Sequence, residues 1–101
     1  MSVLVVLRMV ADATKLEALA EKDPTAFPAV AERAKQYGVI SHRFYASDTE
    51  VMVVDEWETA DGFQSFFDSS PEIAGFMDEA GVTGPPEVTV WRRLNLGDEI
   101  G

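Results

Sequence analysis

The chain of 101 residues contains no cysteine and only one histidine, His42. Without cysteine there is no disulfide, thiolate zinc site, iron–sulfur cluster or cysteine nucleophile. A transition-metal site would have to be assembled from carboxylates around one imidazole, and no phosphate loop or dinucleotide fingerprint is present, so we predict neither a metal nor a cofactor. A chain without cysteine is compatible with a reducing compartment, and we expect a cytoplasmic protein.

Basic residues are also few, with eight Lys and Arg against 18 Asp and Glu and a formal net charge of -10. No Lys or Arg occurs between Phe44 and Trp91. Such a charge repels phosphate backbones and anionic lipid head groups, so we predict no nucleic acid and no membrane partner. The apolar run Val3 to Leu7 is too short for a signal-peptide core or a membrane span, and it is typical of a strand.

The length leaves room for one hydrophobic core, and the composition, 47% apolar and 26% charged, is that of an ordinary globular protein. We predict a single domain over residues 1–96 and a loose C-terminal tail over 97–101.

Runs of apolar and β-branched residues predict four strands, two of them joined by a polar turn of hairpin length. The predicted strands are Val3–Val10, Val39–Ala46, Val51–Trp57 and Val88–Leu94.

Helical spacing of apolar residues predicts helices between the first and second and between the third and fourth strands. Asp12 or Thr14 can cap the first helix, and Thr59 and Ser70 are placed to cap two helices later in the chain. Gly38 and Gly81 are placed where helices end.

This order is βαββαβ, which predicts an α+β, ferredoxin-like fold with one four-stranded antiparallel sheet. Helices would cover one face of that sheet and leave the other bare. Because several strands are apolar on both faces, the bare face would carry a large apolar surface. We therefore expect a homodimer that forms through the sheet faces.

Two segments carry a family resemblance: Gly38–Tyr45, which reads GVISHRFY, and Asp55–Thr59, which reads DEWET and precedes a helix with Phe63. With these, Ser69 and Phe76, the chain resembles the antibiotic biosynthesis monooxygenase family of dimeric α+β barrels. Members of that family include cofactor-free oxygenases of aromatic polyketide quinols or anthrones, quinol oxygenases and haem-degrading enzymes. The resemblance implies a dimeric α/β barrel and an oxidoreductase that needs no cofactor.

The haem-degrading branch of that family places a Trp and a haem-ligating His where this chain has Phe66 and Phe76. Phenylalanine has no nitrogen to bind iron. Haem degradation is therefore disfavoured.

His42 and Asp55 are the candidate catalytic pair. If the hairpin turns between Asp48 and Thr49, His42 faces Asp55, and directly opposed Cβ atoms lie about 4.5–5.5 Å apart. A carboxylate at that distance can hold an imidazole that acts as a base on a phenolic or benzylic proton. The alternative is a histidine that is merely satisfied by its neighbour or exposed at the sheet edge.

Arginines supply candidate anion-binding groups. Arg43 and Tyr45 lie on the other face of the hairpin, where Arg43 is diagonal to Glu56. Arg43 can therefore form an ion pair with Glu56 or help to hold a ligand. Arg92 and Arg93 point to opposite faces of the last strand, so at most one of them can enter a cavity. That one can bind a developing phenolate or enolate, or else form a salt bridge across the dimer.

Aromatic residues are the candidate walls of a substrate cavity between helices and sheet, suited to a flat hydrophobic ligand, unless they form a plain core. They are Trp57, Phe63, Phe66, Phe67, Phe76 and Trp91. The leading functional hypothesis is a cofactor-independent monooxygenase-like enzyme acting on a small aromatic or quinol-type substrate. The alternative is a non-catalytic dimer of the same fold that binds a small molecule or is structural.

Overall fold

The computed structural model describes residues 1–101 and contains four strands and four helices. In chain order they are β1 (Val3–Val10), α1 (Ala13–Lys22), α2 (Ala26–Lys35), β2 (Val39–Ala46), β3 (Glu50–Trp57), α3 (Ala60–Asp68), α4 (Pro71–Glu79) and β4 (Glu87–Arg92). None of the four helices combines the length and the apolar character that a membrane crossing requires.

The strands form one antiparallel sheet in the order β2-β3-β1-β4, with β1 and β3 at its centre. This order, with a helical pair inserted after β1 and again after β3, is the ferredoxin-like arrangement. The predicted α+β fold class is therefore confirmed. The long apolar run of β1 is explained by its central position, because a strand with neighbours on both sides is the most protected in the sheet.

The hairpin of β2 and β3 has the register that the sequence predicts. His42 pairs with Asp55, and Phe44 pairs with Val53. The register shifts once, between Val39 and Ser41, so that Val39 lies opposite Trp57, where an unshifted register would place Ile40. Ile40 is the extra residue of a β-bulge, which bends the strand just after Gly38.

Two of the four helices have a side-chain cap at the N-terminus. Asp12 caps α1 by accepting a hydrogen bond from the backbone N–H of Thr14, and Thr59 caps α3 by accepting one from Gly62. Gly38 and Gly81 adopt positive φ angles of 100° and 74°, which favour glycine over residues with a side chain.

Three strand boundaries differ from the predicted ones, and one predicted cap does not form. Strand β3 begins at Glu50 and not at Val51, and β4 begins at Glu87 and not at Val88. Strand β4 ends at Arg92 and not at Leu94, and Arg93 beyond it pairs with Glu99 of the tail at 2.5 Å. Ser70 occupies the N-cap position of α4, but its hydroxyl does not cap the helix. It donates instead to the carbonyl of Phe66 and accepts from Arg33, which ties the α3–α4 corner to α2.

The two faces of the sheet differ in their cover. The helices pack on the face defined by Val5, Leu7, Met9, Val51, Val53, Asp55 and Trp57, here called the helix face. All seven residues are buried. The opposite face, here called the open face, is defined by Leu4, Val6, Tyr45, Met52, Val54 and Trp91. Those six side chains are half-buried or exposed because no element of this chain lies over them.

Candidate functional site

The candidate site lies between β2, β3 and the helices, where His42 and Asp55 meet on the helix face. Their pairing places both side chains on the same side of the hairpin. The carboxylate Oδ1 of Asp55 lies 2.6 Å from Nδ1 of His42. An ionised carboxylate can only accept, so with Asp55 in that form Nδ1 is the donor of this hydrogen bond.

A tryptophan fixes the other end of this pair. Nε1 of Trp57 donates to Oδ2 of Asp55 at 3.2 Å, so both oxygens of the carboxylate are engaged. Asp55 is 5% exposed and Trp57 is 1% exposed, whereas the side chain of His42 is 36% exposed. The order Trp57, Asp55, His42 therefore runs from the core outwards and ends on a ring whose Nε2 makes no hydrogen bond within the chain.

Two neighbouring spaces open beside His42. The inner cavity has a volume of about 100 Å³ and lies between the sheet and all four helices. All of its lining residues are apolar except His42 and Asp55. The outer groove, of about 570 Å³, lies between α1, α2 and the edge strand β2. It is lined mainly by apolar residues, with Glu17 and His42 among the exceptions.

Aromatic rings form the walls that the sequence predicts, with one exception. Trp57, Phe63, Phe66 and Phe76 all line the inner cavity. The centroids of Phe63 and Phe66 each lie 5.6 Å from that of Trp57, a spacing typical of aromatic pairs. Trp57, Phe63 and Phe66 belong both to the buried core and to the lining of the inner cavity, and a role of these rings in binding a substrate stays a prediction.

Trp91 is the exception, and its predicted place in the cavity wall is wrong. It pairs with Leu4 on the open face and is 57% exposed. Its indole N–H donates to the hydroxyl of Thr89 at 2.8 Å. The sequence pattern of β4 is apolar at both parities, so it could not tell which side chains face the helices.

None of the three candidate arginines lines either space, so none of them is placed to bind a substrate anion there. Arg92 and Arg93 lie on or just after β4, which β1 separates from β3 and the candidate site. Arg43 lies opposite Val54 on the face away from His42. The ion pair considered between Arg43 and Glu56 does not form, and Glu56 accepts instead from Ser2 at 2.5 Å.

Tyr45 borders the outer groove from the sheet edge.

The sequence interpretation missed a group of rings between the two spaces. Phe27 and Phe44 line both spaces, and their centroids lie 5.9 Å apart in an edge-to-face contact. Phe27 also lies 4.8 Å from Phe76, and Phe44 lies 5.1 Å from His42. The predicted register could have identified Phe44, which is two residues from His42 and so shares its face. No local signal links Phe27 of α2 to Phe76 of α4.

Arg33 is a second residue that the sequence interpretation missed. Its guanidinium contacts Ser70 and Glu72 and lies 5.4 Å above the ring of Phe66. It joins α2 to the α3–α4 corner and so holds together the helices that roof the inner cavity. Its Nε is buried without a partner, and we assign Arg33 a structural role.

Comparison with known proteins supports the fold. No protein-family model matches the chain, and no curated protein matches it. Among solved structures, the monooxygenase ActVA-Orf6 of Streptomyces coelicolor, in complex with nanaomycin D, is 22% identical, with 97% of this chain and 93% of that one covered and a TM-score of 0.63. SnoaB of Streptomyces nogalater, a cofactor-independent oxygenase, is 14% identical over 97% and 98% of the two chains, with a TM-score of 0.58.

A third similar structure is a dimeric ferredoxin-like protein from an uncultured marine organism. It is 16% identical over 98% of this chain and 93% of its own, with a TM-score of 0.66. At such identities a structural match establishes the fold and not the chemistry. The predicted resemblance to antibiotic biosynthesis monooxygenases is therefore confirmed at the level of the fold.

Proposed function

We propose that the protein is a cofactor-independent, monooxygenase-like enzyme that acts on a small aromatic or quinol-type substrate. The observation that carries this proposal is the chain of hydrogen bonds from Trp57 through Asp55 to His42, which ends at an apolar groove. It is supported by the fold shared with a monooxygenase in complex with nanaomycin D and with a cofactor-independent oxygenase.

His42 is the proposed general base. Asp55 accepts from Nδ1, which leaves the lone pair on Nε2 free to take a proton from the substrate. The partly exposed ring is within reach of a ligand in the outer groove, because His42 lines that groove. Asp55 is a positioning residue, since its own oxygens are buried and already engaged by His42 and Trp57.

The size and lining of the groove suit a flat apolar ligand. Its volume of about 570 Å³ lies inside the range of about 300–1,000 Å³ that small-molecule sites occupy. Phe27 and Phe44 offer ring faces and edges to such a ligand, next to the imidazole. Neither space is lined by an arginine or a lysine. The imidazolium of His42 would therefore be the one cationic group beside the negative charge that develops on the substrate after deprotonation.

The reaction balances without a cofactor or an external reductant. Removal of one proton from an activated methylene leaves a carbanion, whose electrons can reduce dioxygen and form a C–O bond. Protonation gives a hydroperoxide, and loss of water from it leaves a carbonyl group. In the sum, a CH₂ group and O₂ give a C=O group and H₂O.

Oxygen uptake with a panel of anthrones and quinols tests this function. We expect turnover with at least one substrate and a loss of about 10²–10⁴-fold in kcat in His42→Ala, as for removal of a general base. Arg93→Gln is the control, because that side chain pairs with Glu99 away from both spaces. Equal rates in His42→Ala and the parent protein would contradict the role of His42.

A non-catalytic binding protein is the second candidate function. The absence of Arg and Lys from both spaces favours it, since a developing anion has only His42 as a cationic partner. It predicts no oxygen uptake with any member of the panel, together with unchanged affinity for aromatic ligands in His42→Ala.

We propose that the active form is a homodimer assembled through the open face. Leu4 and Trp91, paired on that face, are 40% and 57% exposed, and a contiguous apolar face of this kind is rarely left in water. A dimeric protein with the same fold supports the proposal. Sedimentation should show a dimer for the parent protein and a monomer for Trp91→Glu, and a monomeric parent protein would contradict it.

A further inference from the structure

The inner cavity is too small for the proposed aromatic substrate. It has a volume of about 100 Å³, whereas sites for organic ligands measure about 300–1,000 Å³. Its size is closer to that of engineered apolar cavities of about 150 Å³, which stay dry and bind xenon or benzene. The inner cavity therefore calls for an occupant smaller than the one that the outer groove can hold.

The inner cavity offers a water molecule few hydrogen-bond partners. A buried water typically makes about three hydrogen bonds to polar groups. His42 and Asp55 are the only polar lining residues, and both oxygens of Asp55 are already engaged by His42 and Trp57. A small apolar molecule forms no hydrogen bonds, so it gives up none when it enters such a space.

His42 lies at the boundary between the two spaces. It lines both the inner cavity and the outer groove, as do Phe27 and Phe44. A substrate in the groove and a small molecule in the cavity would therefore approach the same imidazole from two sides. This arrangement suits a reaction in which a carbanion formed at His42 meets a second, apolar reactant.

We propose that the inner cavity is a binding site for dioxygen, held beside His42 while the organic substrate occupies the outer groove. This inference rests on the proposed function for its catalytic meaning, since that reaction consumes O₂ and supplies the electrons for its reduction from the substrate itself. The proton that His42 removes returns to the peroxide oxygen that leaves as water. No additional reductant enters the balance.

Dioxygen is paramagnetic, so its position can be measured without turnover. Methyl groups near bound O₂ relax faster in NMR spectra recorded under oxygen pressure than under nitrogen. We expect a larger relaxation enhancement at the methyls of Leu7 and Met77, which line only the inner cavity, than at those of Ala20 and Ala46, which line only the groove. Exposure alone predicts the reverse, because Ala20 and Ala46 are exposed and Leu7 is 5% exposed.

A larger side chain that fills only one of the two spaces tests the inner cavity and the outer groove independently. Ala34 lines only the inner cavity, and we expect Ala34→Leu to remove most of the enhancement at Leu7. We also expect it to lower kcat/KM for O₂ about fivefold with little change in the KM of the organic substrate. Ala20→Leu in the groove is the matched control and should raise the organic KM instead. If Ala34→Leu does not fold, Val30→Leu fills the same cavity.

The two proposals fail in different ways. Equal enhancement at Leu7 and Ala20, or an O₂ dependence unchanged in a folded filling variant, would overturn the dioxygen site even if the enzyme turns over. Selective enhancement that Ala34→Leu removes would support the site, and with no oxygen uptake from any substrate it would overturn only the oxygenase function.

Discussion

The two faces of the sheet carry one tryptophan each, and the two side chains differ in burial and in the groups that they contact. Trp57 on the helix face is 1% exposed and donates to a buried carboxylate. Trp91 on the open face is 57% exposed and donates to the hydroxyl of Thr89, two residues away. The same residue type holds the carboxylate of Asp55 in one place and lies on the surface in the other.

The two tryptophans differ because the helices pack over the helix face and leave the open face uncovered. A carboxylate that is buried among apolar groups must have its oxygens satisfied, and that requirement fixes Asp55 against His42 and Trp57. On the open face the neighbouring residue Glu56 is half-buried and has one hydrogen bond, from Ser2. Because water can solvate Glu56, nothing there forces a defined geometry.

Replacing each tryptophan by alanine gives the largest expected contrast. Trp57→Ala removes a fully buried ring that contacts Phe63 and Phe66, and we expect a loss of about 3–5 kcal/mol in the free energy of unfolding. Trp91→Ala should change the stability of one protomer by about 0.5 kcal/mol or less and should mainly weaken dimerisation. Urea unfolding at two protein concentrations measures both effects, and equal losses would contradict the contrast.

Two glycines test how the helices close over the helix face. A Cβ on Gly62 would lie 2.3 Å from the backbone carbonyl oxygen of Tyr37, so α3 can approach the end of α2 only without a side chain there. We expect Gly62→Ala to cost about 3 kcal/mol, at the upper end of overpacking effects.

Gly75 in α4 is the matched control for Gly62, since a Cβ added there meets nothing within 4 Å. Gly75→Ala should stabilise the chain by about 0.5–1 kcal/mol, because alanine is the better helix former. Thermal melts of the two variants compare them directly, and a tolerated Gly62→Ala would mean that α3 does not pack as described.

Two adjacent carboxylates on β3 give a smaller contrast. Asp55→Ala leaves the N–H groups of His42 and Trp57 without their acceptor, and we expect a loss of about 2 kcal/mol. Glu56→Ala on the open face should cost about 0.5 kcal/mol or less. Asp55→Asn keeps one acceptor oxygen and should fall between the two. Chemical denaturation ranks the three variants, and a Glu56→Ala as damaging as Asp55→Ala would remove the distinction between the faces.

The part of this structure that could be predicted is the part set by local pattern. Strand periodicity and the polar turn at Asp48 and Thr49 were enough for the fold and for the register that opposes His42 to Asp55. The β-bulge at Ile40 leaves no mark in the apolar pattern, because Val39 and Ile40 are both β-branched and apolar.

The rest of the candidate site depends on which elements lie over which face, and that is a property of the tertiary packing. β4 is an edge strand far from β2, so Trp91, Arg92 and Arg93 cannot reach the imidazole however apolar or basic their segment is. The meeting of Phe27 with Phe76 likewise depends on how α2 and α4 cross, which no spacing within either helix encodes.

The smallest expected effect is a dependence of the free energy of unfolding on pH. It arises at Asp12, the N-cap of α1, which is one of the helices that border the outer groove. The hydroxyl of Thr14 donates to the carboxylate of Asp12 at 2.6 Å, and its backbone N–H donates at 2.9 Å. These bonds hold the pKa of Asp12 below its ordinary value of 3.8. A lowered pKa means that the contribution of Asp12 is fully present above the unfolded value and is lost as the pH falls through the folded one.

We therefore expect the Tm to fall more in the parent protein than in Asp12→Asn between about pH 5 and pH 3. Asparagine is an equally good N-cap that does not titrate, so the variant keeps α1 capped at every pH while losing the acid-sensitive step. Thr25 makes the same pair of bonds to Asp23, whose pKa is also lowered. Asp23→Asn should therefore also reduce the dependence of the Tm on pH.

Because α1 forms one wall of the groove, ligand affinity should decline over the same pH range in the parent protein and less in Asp12→Asn. An unchanged dependence of the Tm on pH in both variants would assign the acid sensitivity to carboxylates other than Asp12 and Asp23.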